Sequence, residues 1–175
     1  NFKKFVNSKY CVSVGNGTDA LEIAIASLNL KRGSEIILPV NTWISTAESI
    51  VTSGCKPIFC DINLDDYSIC LEDLKKKISK KTKAIIIVHF AGKPCNMDRI
   101  IKISKKHKIH LIEDCAHAIE STYRNKHTGT FGTFGCFSFY ATKNLSIGEG
   151  GMLITDNKKL YQKARILSLH GMDKA

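Results

Sequence analysis

Apolar runs and helix-like repeats alternate along the chain. Thr18 to Leu30, Thr42 to Thr52, the stretch from Leu71 with apolar positions 71, 74 and 78, and Met97 to Lys106 carry apolar residues at helical spacing. Between them lie the short runs Glu35 to Leu38, Pro57 to Cys60, Ala84 to His89 and His110 to Glu113. These runs are apolar throughout rather than alternating, the pattern of strands buried on both faces of a parallel sheet. The chain then changes to short glycine-containing segments: Thr128 to Gly135, Cys136 to Tyr140, and the turn Gly148 to Gly151 leading into Met152 to Ile154. A last amphipathic helix is predicted over Lys158 to Leu169. No internal repeat, low-complexity tract or Pro-rich linker interrupts the pattern, which predicts one α/β domain.

Open α/β sheets bind ligands beyond the carboxyl ends of their strands, where helix N-termini present unpaired N–H groups. Polar groups cluster at such exits: Gly15 to Asp19, Asn41 to Trp43, His89 to Gly92, Asp114 to His117, and Ser138 to Lys143. Gly17 and Thr18 open a helix after the apolar stretch Cys11 to Val14. Their amides and the Thr18 hydroxyl can donate to a phosphate, although the segment is neither a Walker loop nor a Gly-x-Gly-x-x-Gly turn. The alternative is a plain turn capped by Thr18. Asp114 ends an apolar strand, where a carboxylate costs desolvation unless a cation or donors meet it. With His117 three residues on, it fits either a site facing a protonated heterocyclic nitrogen or a helix cap beside a structural histidine. Lys143 interrupts a stretch poor in charge, Ser138 to Leu145, where desolvation would favour a neutral, nucleophilic amine. A snorkelling lysine at the sheet edge is the other reading. Trp43, the only Trp, is placed to stack on a flat ligand or to pack into the core.

Composition narrows the classes. Of the 175 residues 43% are hydrophobic, and Gly (12) and Pro (3) are sparse, which excludes a disordered or collagen-like chain. The longest aliphatic run, Ala84 to Val88, falls far short of the roughly 20 residues needed to span a bilayer. Asn1 to Phe5 shows neither an initiator Met nor a signal peptide, so the piece is expected to be a fragment. Net charge is +10, from 26 Lys+Arg against 16 Asp+Glu. Only four of the basic residues are Arg, and the lysines crowd the solvent sides of the helices near 71–83 and 97–108. A solvated surface is expected, with neither nucleic acid nor membrane as partner. Seven cysteines form no Cys-x-x-Cys pair, which points to reduced thiols in the cytoplasm and to no metal site.

Taken together the motifs carry a resemblance. Asn16-Gly17-Thr18-Asp19-Ala20-Leu21, Pro39-Val40-Asn41-Thr42-Trp43, Glu113-Asp114-Cys115-Ala116-His117-Ala118, Phe137 to Leu145 and Gly148-Glu149-Gly150-Gly151 resemble, in order and spacing, the sugar aminotransferases of the DegT/DnrJ/EryC1/StrS family. The resemblance runs from about Tyr10 to Gly171. It implies a three-layer, fold type I large domain over residues 1–175 with a mostly parallel central sheet. The domain would be incomplete at the N-terminus and would lack the small C-terminal domain.

Carried over by position, the resemblance makes pyridoxal 5'-phosphate the cofactor and Lys143 the lysine that binds it as a Schiff base. Asp114 takes the place of the partner of the pyridinium nitrogen, and His117 lies where relatives have Gln or His near the 3-oxygen. Gly17, Thr18 and Ser138 resemble the phosphate ligands and Trp43 the stacking aromatic. The implied reaction moves an amino group from L-glutamate to a keto group of a nucleotide-linked sugar, in amino-sugar biosynthesis for a surface polysaccharide or glycan, by a cytoplasmic homodimer. Lysine at 143 points to the transaminating branch, since a dehydrating branch has His there. Two other readings stay open: a non-catalytic phosphate- or nucleotide-binding module, and a different fold type I enzyme such as a cysteine desulfurase, which would need a nucleophilic loop Cys.

Overall fold

The computed structural model describes residues 1–172. After a short N-terminal turn of helix, α1 (Phe2–Phe5), the elements run β1 (Tyr10–Val14), α2 (Gly17–Ser27), β2 (Glu35–Pro39), α3 (Ile44–Thr52), β3 (Lys56–Cys60), α4 (Leu71–Lys77), β4 (Thr82–Val88), α5 (Met97–His107) and β5 (His110–Asp114). A small hairpin, β6 (Thr122–Tyr123) and β7 (Lys126–His127), precedes β8 (Phe134–Ser138), β9 (Gly151–Thr155) and α6 (Lys158–Leu167). Each predicted strand and helix is present within a few residues. The 122–127 hairpin and α1 were not predicted, being too short for a periodic signal.

Seven strands form one sheet in the order β1-β9-β8-β5-β4-β2-β3. The pairs β3/β2, β2/β4, β4/β5 and β5/β8 are parallel, and β9 runs antiparallel to both β8 and β1. Strand alternation divides the core. Ile36, Leu38, Ala84, Ile86 and Ile112 face α2, α3 and α6, while Ile37, Ile85, Ile87 and Leu111 face α4 and α5. Three layers result, helices on both faces of the sheet, which is why the central strands read as unbroken apolar runs. The edge strand β3 departs from that pattern: Lys56 and Phe59 are exposed because no further strand covers it.

Lysines 75, 76, 80, 81, 83, 102, 105, 106 and 108 are exposed, on or beside α4 and α5. Among the described residues no helix is long and apolar enough to cross a membrane. Ile86, on the interior strand β4, is fully buried on the α2/α3 side of the core. Its truncation to Ala is expected to cost about 3 kcal/mol, from lost transfer energy and the cavity left behind, measured as a fall in the denaturation midpoint at unchanged slope.

Candidate active site

The carboxyl ends of β1, β2, β4, β5 and β8 lie along one edge of the sheet, so their exits converge. At β1, Asn16 rather than Thr18 caps α2: its side-chain oxygen accepts from the Asp19 amide at 2.8 Å. Helix geometry leaves the Gly17 and Thr18 amides without intrahelical acceptors. The Thr18 hydroxyl, free of capping duty, donates to Ser45 Oγ at 2.9 Å. Gly17 sits hard against the end of β8, where an added Cβ would stand 2.8 Å from Ser138 Cβ. The bare backbone at Gly17 thus lies directly against Ser138, one residue from the Thr18 hydroxyl.

Asp114 is the last residue of β5 and almost fully buried. Its Oδ2 accepts from Thr46 Oγ1 and its Oδ1 from the Ala116 amide, both at 3.1 Å. Burial pushes the carboxyl pKa up, against the pull of those two donors and of His117. Thr46 stands in the first turn of α3, and its hydroxyl is also paired with that of Thr42 at 2.7 Å. A plain turn follows Asp114, with Ala118 N–H donating to Cys115 O. That turn leaves His117 exposed, with its ring set edge-on to Phe90 at 6.3 Å between centroids. His117 is held below the usual histidine range by partial burial and by the Lys143 ammonium, with Asp114 opposing.

Lys143 lies in the loop between β8 and β9, half-buried rather than enclosed, with Ala141, Thr142, Asn144 and Leu145 exposed around it. Full desolvation by this chain's own atoms, expected from the apolar flanks, is therefore not seen. The loop is anchored by Ile147 N–H to Phe139 O at 3.0 Å and by the Asn144 amide donating to the Glu120 carboxylate. Trp43, directly before α3, is 77% exposed, and its neighbours Val40 and Ile44 are exposed as well. It belongs to the rim, not to the core.

Sequence reasoning missed the hydroxyls. Thr42, Ser45 and Thr46 face inward from the start of α3, and the i, i+4 spacing of Thr42 and Thr46 was the available signal. It also left Glu113 and His89 without roles. Both are fully buried, and with Cys115 they bring their ligand atoms within 4.8 Å of one another. Glu113 already accepts the Gly129, Phe131 and Gly132 amides at 2.6 to 2.7 Å and His89 Nε2 at 3.1 Å, so a cation there would compete with four donors.

The three-layer α/β domain thus brings a helix N-terminus, a buried carboxylate and a loop lysine to one edge of its sheet. The chain belongs to the DegT/DnrJ/EryC1/StrS aminotransferase family, whose model matches residues 1–175. It is 41% identical over 155 residues to GDP-perosamine synthase of Escherichia coli O157:H7, covering 89% of this chain and 43% of that protein. Among solved structures it is similar to Helicobacter pylori PseC, an aminotransferase involved in pseudoaminic acid biosynthesis: TM-score 0.95 at 32% identity, over 99% of this chain and 47% of that one. It is similar too to NtdA of Bacillus subtilis with bound cofactor PMP, at TM-score 0.87 and 31% identity over 93% and 37% of the two chains. The chain spans less than half the length of each.

The raised pKa of Asp114 has a measurable consequence. The native state binds that proton more tightly than the unfolded chain, so Asp114 makes stability fall as pH rises from the ordinary carboxylate value, about 3.9, through the folded value. Without ligand, Asp114→Asn is therefore expected to melt higher than the unmodified protein at pH 7, with the gap closing below about pH 4. Melting curves across that range check it.

Proposed function

We propose that this chain is the cofactor-binding part of a pyridoxal 5'-phosphate-dependent aminotransferase that moves an amino group from L-glutamate to a keto group of a nucleotide-linked sugar. The observation that carries the reading is the buried Asp114, whose carboxyl is held by only two donors at the strand exits that Lys143 and His117 share. A buried carboxylate with so few donors calls for a cation. A protonated pyridine nitrogen would supply one, and the likeness to an aminotransferase of pseudoaminic acid biosynthesis and to a chain holding PMP supports the choice.

The residues fit the group. The Gly17 and Thr18 amides, the Thr18 hydroxyl and Ser138 Oγ would hold the phosphate, and a side chain at 17 would displace Ser138, whose Cβ an added Cβ would meet at 2.8 Å. Trp43, too exposed to serve the core, would cover one face of the ring, and His117 would stand near its oxygen edge. When bound, the cofactor supplies an aldehyde for imine exchange with an amine and a protonated ring that accepts the electron pair left at a deprotonated carbon. Asp114 would hold that nitrogen in its protonated form. Lys143 Nζ would hold the aldehyde carbon and, once freed by the amino donor, would be the base that takes the proton from the donor's Cα. In the second half-reaction the same amine would deliver a proton to the sugar carbon that receives nitrogen, and because the amino group would stay on the enzyme between the two halves, kinetics would be ping-pong. In the whole protein, a homodimer by family likeness, a second copy of the chain and a small domain would complete the enclosure of the half-exposed Lys143. Unpaired thiols at all seven cysteines suit the cytoplasm.

Lysine at 143 favours amination over dehydration, because an amine can both form the tether and shuttle the proton. In the full-length protein loaded with pyridoxal phosphate, borohydride is expected to fix the cofactor on the peptide containing Lys143. Lys143→Ala is expected to lose both the fixation and the visible absorbance, and with them the glutamate half-reaction. Fixation on another peptide rejects Lys143 as the tether, and none in the unmodified protein rejects the enzyme in favour of a phosphate-binding module.

A further inference from the structure

Glu113 and Asp114 are consecutive on β5, so their side chains leave opposite faces of the sheet. Asp114 has two donors; Glu113, fully buried on the opposite face, has four. Its Oε1 takes the amides of Phe131 (2.7 Å) and Gly132 (2.6 Å), and its Oε2 takes the Gly129 amide (2.7 Å) and His89 Nε2 (3.1 Å). His89 Nδ1 accepts the Cys95 amide at 3.2 Å, so that nitrogen carries no proton and Nε2 carries the one donated to Glu113. The backbone closes the circle, with His89 N–H donating to the Asp114 carbonyl at 3.1 Å and Cys115 N–H to Cys136 O at 2.8 Å. The 129–132 loop can approach this closely only without side chains, since a Cβ on Gly132 would stand 2.5 Å from Leu111 O and one on Gly129 2.7 Å from the Phe137 ring.

We propose that Glu113 and His89 are positioning residues that fix the Asp114 carboxylate for the cofactor's ring nitrogen; this rests on the function proposed above. Asp114 holds its own carboxylate loosely, with one hydroxyl and one neighbouring amide, so its aim is set by the backbone from 113 to 115. Glu113 pins that backbone from below by binding three amides of a glycine loop, and His89 pins it from the side by joining Glu113 to the segment leading from β4 to α5. Phe90, in that segment, meets His117, so the same clamp reaches the second ring-facing residue. A charged acceptor with four donors is a strong restraint, and losing one partner leaves the others buried and unpaired.

The test uses the full-length protein. His89→Gln keeps a donor for Glu113 but loses the acceptor for Cys95, and His89→Asn does the reverse. Glu113→Gln sets an amide N–H against N–H donors whichever way it is turned. Leu74→Ala, buried between α4 and the sheet away from the clamp, serves as a control of lowered stability. Each clamp variant is expected to raise the Kd for pyridoxal phosphate about tenfold, the scale seen when partners that orient metal ligands are removed. Each is also expected to displace the pH midpoint of the bound cofactor's visible band, while borohydride still fixes the cofactor on Lys143. Leu74→Ala is expected to lower Tm with Kd and midpoint unmoved. If the clamp variants lower Tm but match Leu74→Ala in Kd and midpoint, the role is structural and the proposal is overturned. Absence of fixation in the unmodified protein overturns the underlying function as well. Should Glu113→Gln not fold, the two His89 variants decide.

Discussion

Two carboxylates end the central strand β5, and both are buried. Removing a charge from water is so costly that each must be met by donors or a cation, and strand alternation sends them to opposite faces where different partners wait. On one face Glu113 is fully met by three loop amides and an imidazole. On the other, Asp114 has two donors and its pKa is raised. The asymmetry separates a carboxylate whose oxygens are fully met by the fold from one that the fold leaves short of donors.

Around this strand the fold does what parallel sheets do. Crossover helices cover both faces, the strands become apolar throughout, and the polar residues are driven to the ends. At the carboxyl edge those ends carry Gly17, Thr18, Trp43, Asp114, His117, Ser138 and Lys143 from segments far apart in sequence. The cap at Asn16 is a small instance of the same economy: by satisfying the Asp19 amide itself, it leaves the Thr18 hydroxyl and two helix amides for other partners.

Much of this was legible beforehand. The Leu71 and Met97 helices, the runs at 35–38, 84–89 and 110–113, and the five motifs at strand exits carry signals local enough to read, because periodicity and turn chemistry act over a few residues. The environment of Lys143 was not. Its apolar flanks suggested enclosure, yet Leu145 and Ile147 point to solvent in the folded chain, since an apolar neighbour in sequence is no guarantee of one in space. Trp43 was equally undecided between core and rim until the helix start at Ile44 left its ring outside.

The sequence by itself determined the layer architecture, the residues available for chemistry and the family, since each depends on residue type and spacing along one chain. Only the tertiary structure decided that Thr46 serves Asp114, that Ser138 abuts Gly17, and that His89 and three loop amides converge on Glu113. Those pairings join residues from 16 to 121 positions apart. The physical reason is that hydrogen-bond satisfaction in a buried site is settled by which strand exits become neighbours, and strand order is a property of the packed sheet rather than of any local segment.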